Sequence, residues 1–147
     1  MFRTRYRTVI SLIAISVVIA SATFVIHRVN QNIRNSYAVW WAADMVIAHL
    51  HDNDGQWPSD WNELRDDYDY LVEHSGRPWS FDELQQRVTI EWNASTNDMA
   101  ERLRAGDTNL NVISSSDGSN SHWIDEEPNG KIAEYLKRHH VAPEEAE

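Results

Sequence analysis

The sequence predicts an α+β fold: one long N-terminal helix, a small antiparallel sheet and several short helices. Three observations carry it. Residues 1–54 contain neither Gly nor Pro. Val88-Thr89-Ile90-Glu91-Trp92 alternates with the period of a strand. Past residue 55, Gly, Pro and capping residues punctuate the chain at short intervals.

The long helix is expected from about residue 6 to about 51. Its first half, Val9 to Ile26, is a run of 18 residues without a charge. At the helical rise it spans about 27 Å, close to the thickness of a bilayer's hydrocarbon core. Arg3, Arg5 and Arg7 precede the run, and Arg28 and Arg34 follow it. The excess of basic residues on the N-terminal side predicts that this end stays in the cytoplasm. Ala20-Ser21-Ala22 also has the form of a signal-peptide cleavage site. Because Thr23-Phe24-Val25-Ile26 prolongs the apolar run, the uncleaved anchor is the preferred reading. Either way the remainder is exported.

Beyond Ile26, residues Val29, Ile33, Tyr37, Trp40, Trp41, Ile47 and Leu50 recur at mostly helical steps. They predict an apolar stripe on which a small domain folds. Trp40 and Trp41 lie about 21 Å past the apolar run, too far for an interfacial belt. Asp52-Asn53-Asp54-Gly55 supplies stop chemistry, with Gly55 suited to the left-handed position after a helix.

Asp60 and Glu63 have capping-box spacing for a helix at about 60–67. Gly76-Arg77-Pro78 marks a loop. Ser80-Phe81-Asp82-Glu83 is a second capping box, opening a helix through Gln86. A strand follows at 88–92, with Val88, Ile90 and Trp92 inward. Asn97 to Ala105 reads as a helix closed by Gly106. Leu110 to Ser114 reads as a second strand, Asp117-Gly118 as a hairpin-type turn and Ser121 to Ile124 as a third strand. Pro128 suits the first turn of a helix to about His139. Lys137, Arg138, His139 and His140 match the macrodipole at its end. Seven Trp in a short chain are expected mostly to build the core.

The organisation is therefore a basic cytoplasmic segment 1–8, a transmembrane helix 9–27, an extracytoplasmic α+β domain 28–140 and a disordered acidic tail 141–147. Charge follows this division. Residues 1–43 hold five Arg and no acid, a charge of +5; residues 44–147 hold eight basic and 23 acidic residues, a charge of −15. Together they give the net −10. So acidic a domain repels phosphates, which argues against nucleic-acid binding. With no Cys there is no disulfide framework, thiolate metal site or cysteine nucleophile.

No catalytic motif is present, and no catalytic, cofactor-binding or metal residue is predicted. His49-Leu50-His51-Asp52-Asn53-Asp54 fails as a calcium loop. With Gly55 at the invariant sixth position, the first and last ligands would be Leu50 and Trp61. That stretch reads as a helix end and an exposed polar turn. Asp117, Asp125 or Glu126 could form a looser calcium site, and Trp57, Trp61 or Trp79 an aromatic binding surface. These make an exported binding module or enzyme the alternative to a non-enzymatic role. Asn93-Ala94-Ser95 fits the glycosylation sequon, which matters only on a eukaryotic secretory route.

The stretch Ala48-His49-Leu50-His51-Asp52-Asn53-Asp54-Gly55-Gln56-Trp57-Pro58, followed by Glu63-Leu64, resembles the junction that ends the long helix of type II secretion pseudopilins. The plan as a whole resembles type IV pilins over about residues 9–64. The prepilin Gly before the Phe-type residue, and the Glu five residues into the mature helix, have no counterparts here. The resemblance implies an apolar helix running into an α+β head and assembly of copies. The partners expected are the lipid bilayer through residues 9–27, other envelope proteins and a homo-oligomer.

Overall fold

Without Gly or Pro to interrupt it, Phe2–Asp52 forms one continuous helix, α1. The computed structural model describes residues 2–75, 79–119 and 127–141, with side chains from residue 12 onward. The elements that follow are α2 (Arg65–Ser75), α3 (Phe81–Arg87), β1 (Val88–Ile90), α4 (Thr96–Arg104), β2 (Ile113–Ser115) and α5 (Pro128–His139). The class is α+β, as the sequence predicts. The chain divides into two compact units, one up to Arg34 and one from Asn35 onward.

In the first unit, the apolar side chains of α1 are exposed, from Leu12 at 59% to Ile26 at 69%. In the second unit, residues 38–50 of α1 run through the core. Ala38, Trp41, Ala42, Ala43, Met45, Val46 and Leu50 are all within 1% of complete burial. They lie on several sides of the helix, so this stretch is a spine buried nearly all round. That corrects the expected single stripe. Val29, Ile33 and Tyr37 are 50–59% exposed, whereas Trp41 and Leu50 are buried. Periodicity detects an apolar face but not whether anything covers it.

Around the spine pack Leu64, Phe81 and Leu84, Val88 and Ile90, Met99 and Leu103, Val112 and Ile113, and Ile132 and Leu136. Four edge-to-face aromatic contacts cross the domain: Trp41 on Tyr68, Tyr68 on Phe81, Phe81 on Trp61 and Trp61 on Trp92, with centroids 5.1–5.8 Å apart. Each contributes about 1 kcal/mol beyond the area it buries. Most Trp thus join the core as expected, but among the described residues only Trp41 is fully buried. Trp123 lies outside the described residues.

α3 keeps its box: Ser80 Oγ accepts from Glu83 N, and Ser80 N donates to Glu83 Oε2. α4 is capped by Ser95 and followed by Gly106 at φ +86°. α5 begins at Pro128 and ends at His139, as predicted. The helix expected at 60–67 is displaced. Asp60 Oδ1 accepts from Asn62 N and Glu63 N, and Glu63 Oε2 from Ser59 N. Leu64 N and Arg65 N reach back only three residues. The box therefore closes a tight turn, and the helix opens after it.

The sheet pairs β1 and β2 antiparallel, with Thr89 opposite Ser114. β1 stops at Ile90 because Ala94 N turns back to Glu91 O, and Trp92 leaves the strand to meet Trp61. β2 starts at Ile113 rather than Leu110. The expected third strand, Ser121–Ile124, lies outside the described residues, as do Gly76-Arg77-Pro78 and the tail beyond Val141. Asp117-Gly118 forms a turn, with Gly118 at φ +69° and Gly118 N donating to Ser115 O.

Gly55 closes α1 with φ +77°, the left-handed conformation expected after a helix. The His140 ring occupies the place a Cβ would take there. The backbone thus favours glycine here, and any larger residue would also have to displace the His140 ring.

Candidate functional site

Two features have functional geometry, and each lies within one unit. The first is the exposed apolar half of α1. Helix Leu12–Asp52 contains an 18-residue window of mean hydropathy 2.0 with none of it buried, long and apolar enough to cross a membrane. Its hydroxyls fit that environment. Ser16 Oγ donates to Leu12 O and Thr23 Oγ1 to Ile19 O, each at 2.9 Å. Neither leaves an unmet donor to the hydrocarbon.

The second is a cleft of about 600 Å³ at the end of α1, lined by His49, Asp52, Asn53, Gln56, Trp57, Ser59, Glu63, Asp66 and Asp67. An adjoining hollow of about 440 Å³ shares Asp52, Asp66 and Asp67 and adds His51 and Tyr70. Helical spacing sends His49 inward beside Met45 and Val46. The turn at 60–64 sets α2 so that Asp67 comes to meet it. His49 Nδ1 lies 3.2 Å from Asp67 Oδ2, with both side chains more than nine-tenths buried. Asn53 Nδ2 donates to His49 O, pinning the last turn of the helix.

Burial pushes the Asp67 carboxyl above its ordinary range. The hydrogen bond and charge of His49 oppose this, and Asp52 and Asp66 add to it. With a proton on Nδ1 the His49 ring donates to Asp67 Oδ2. Among the described residues no Lys or Arg lines the cleft, so its chemistry suits a cation or a proton donor.

This corrects the reading of His49 as part of an exposed turn. His49 is buried; His51, two residues on, faces solvent and pairs with its neighbour Asp52. The signal in the sequence was the three- and four-residue step from Val46 and Met45. Asp67, eighteen residues away, carried none.

Of the proposed calcium residues, Asp117 is committed elsewhere. It accepts from Ser115 Oγ, Ser119 N and Asn35 Nδ2, and Arg87 donates to Asn35 Oδ1. The Ser115 hydroxyl, then the Ser119 hydroxyl and amide, hold the Asp117 carboxyl down at about 2. Asp125 and Glu126 lie outside the described residues. Among the described residues no three His, Asp or Glu side chains assemble around a metal position. Trp57 lines the cleft, its Nε1 donating to Glu91 O. Trp61 is spent on Phe81 and Trp92, and the Arg87 guanidinium lies over Trp79. At the end of α5, His139 stacks on Tyr135 and His140 sits against Gly55.

Two further polar devices were not legible in the sequence. Lys131 pairs with Asp44 and lies over the Trp40 ring at 4.0 Å. Buried Asn129 accepts from Val112 N and Ile113 N and donates to Ile113 O, closing the free edge of β2. No protein-family model, curated protein or solved structure matches this chain.

Proposed function

We propose that this chain is a single-pass membrane protein whose N-terminus lies in the cytoplasm and whose acidic α+β head lies outside. There it serves a non-enzymatic structural or interaction role in the cell envelope. The observation that supports this most is the apolar half of α1. It carries a bilayer's length of exposed apolar side chains and continues without a break into the spine of a folded domain. Basic residues flank the run on both sides, three before it and two after, which favours the inward N-terminus. A narrower form is assembly of copies in the manner of pilins, supported by the likeness around Gly55 and the exposed Val29, Ile33 and Tyr37.

The chain has no Cys, so a single one reports topology cleanly. Glu73→Cys, on exposed α2, is expected to react with a membrane-impermeant maleimide in intact cells. The protein is expected to stay in the pellet after carbonate extraction. Labelling only after lysis would refute the orientation, and release into the supernatant would refute the anchor. Tyr37→Cys tests assembly: disulfide-linked dimers support it, and monomers alone refute it.

The cleft favours a second reading, an exported module that binds a ligand beside Trp57 and the His49–Asp67 pair. A saturable change in Trp fluorescence on titration, lost in Trp57→Phe, would support that reading.

A further inference from the structure

We infer that the turns of α1 just beyond the apolar run bind the phosphates of anionic phospholipids in the leaflet on the side of the head. This rests on the membrane reading proposed above. On a helix, His27, Gln31 and Arg34 stand four and three residues apart on one side, with Arg28 beside them. Ile26, Val29 and Ile33, all at least 50% exposed, occupy the opposite side. The segment is thus amphipathic, with a basic face and an apolar face that prolongs the exposed surface of residues 12–26.

Position along the axis favours lipid as the occupant. Arg28 lies about 3 Å past Ile26, within a headgroup layer about 6 Å deep, and Arg34 lies about 12 Å past it, about 6 Å beyond that layer. Direction favours it too. Side chains on a helix lean toward its N-terminus, so both Arg incline back toward the bilayer. Long basic side chains at the end of an apolar helix extend in this way to reach phosphates. The charge is complementary, since residues 1–43 contain no acid. Each basic side chain near an anionic surface strengthens attachment about fivefold.

The test uses the full chain in nanodiscs of equal parts phosphatidylcholine and phosphatidylglycerol, released gently and weighed with its bound lipid. The wild type is expected to retain phosphatidylglycerol in preference to phosphatidylcholine. Arg28→Gln with Arg34→Gln should lower that preference about 25-fold, and Arg28→Lys with Arg34→Lys should keep most of it. Equal retention of both lipids by the wild type, or an undiminished preference in the Gln pair, would overturn the inference. Carbonate extraction of the same proteins separates the two claims. A wild type that leaves the membrane refutes the membrane reading, whereas one that stays without lipid preference refutes only the headgroup site.

Discussion

At the scale of single residues, the most consequential contact is His49 with Asp67. A buried carboxylate held by one imidazole is costly to orphan. His49→Ala should destabilise the head by about 3 kcal/mol, seen as a lowered Tm of the full chain in detergent. The acid limb separates Asp67 from Asp117. The pKa of Asp67 is raised on folding, so folding takes up a proton there. Its contribution favours the folded state at low pH and is lost as pH rises from 3.8 through the raised value. The pKa of Asp117 is lowered to about 2, so its contribution is present above 3.8 and lost as pH falls toward 2. Melting should show Asp117→Asn flattening the loss of stability as pH falls from 3.8 toward 2, and Asp67→Asn removing the stability gained as pH falls toward 3.8. The same slope in both variants would refute the assignment. Spacing could mark His49 as inward-facing, but its partner was set by where α2 lies, which no local pattern reports.

Among the elements, those with strong local chemistry formed where that chemistry placed them. Ser80 with Glu83, Ser95, Gly106 and Pro128 bound their helices to within a residue or two of expectation. Such caps satisfy helix ends with atoms three residues away, so the information is local. The box at Asp60 and Glu63 was the exception, closing a turn instead of a helix. The strands were the least legible. Both are three residues long, and their ends depend on distant groups. Asn129 on α5 bonds the backbone of Val112 and Ile113 at the start of β2, using both ends of its amide. Asn129→Ala should therefore leave two buried amides unmet and cost about 3 kcal/mol. Hydrogen exchange should quicken first at Val112 and Ile113. Unchanged protection there would mean that other groups close this edge.

For the whole molecule, the apolar half of α1 and the folded head answer to different solvents. Residues 12–26 are exposed along their whole length, so a charge among them should affect insertion without affecting folding. Ile19→Arg is expected to cost about 3 kcal/mol of insertion and to shift protein into the carbonate-soluble fraction. The head's Tm in detergent should stay the same, and a fall there would show that this stretch supports the domain. The sequence by itself determined the long helix, the apolar run, the +5 and −15 halves and most helix ends. Each of these is a property of neighbours along the chain. Only the tertiary structure decided that residues 38–50 are buried nearly all round, that His49 meets Asp67, that Lys131 meets Asp44 and that Asn129 bonds the start of β2. These depend on residues 16 to 87 positions apart. Such contacts form only once the core has folded around the helix, and the spacing of apolar and polar residues cannot name a partner that far away.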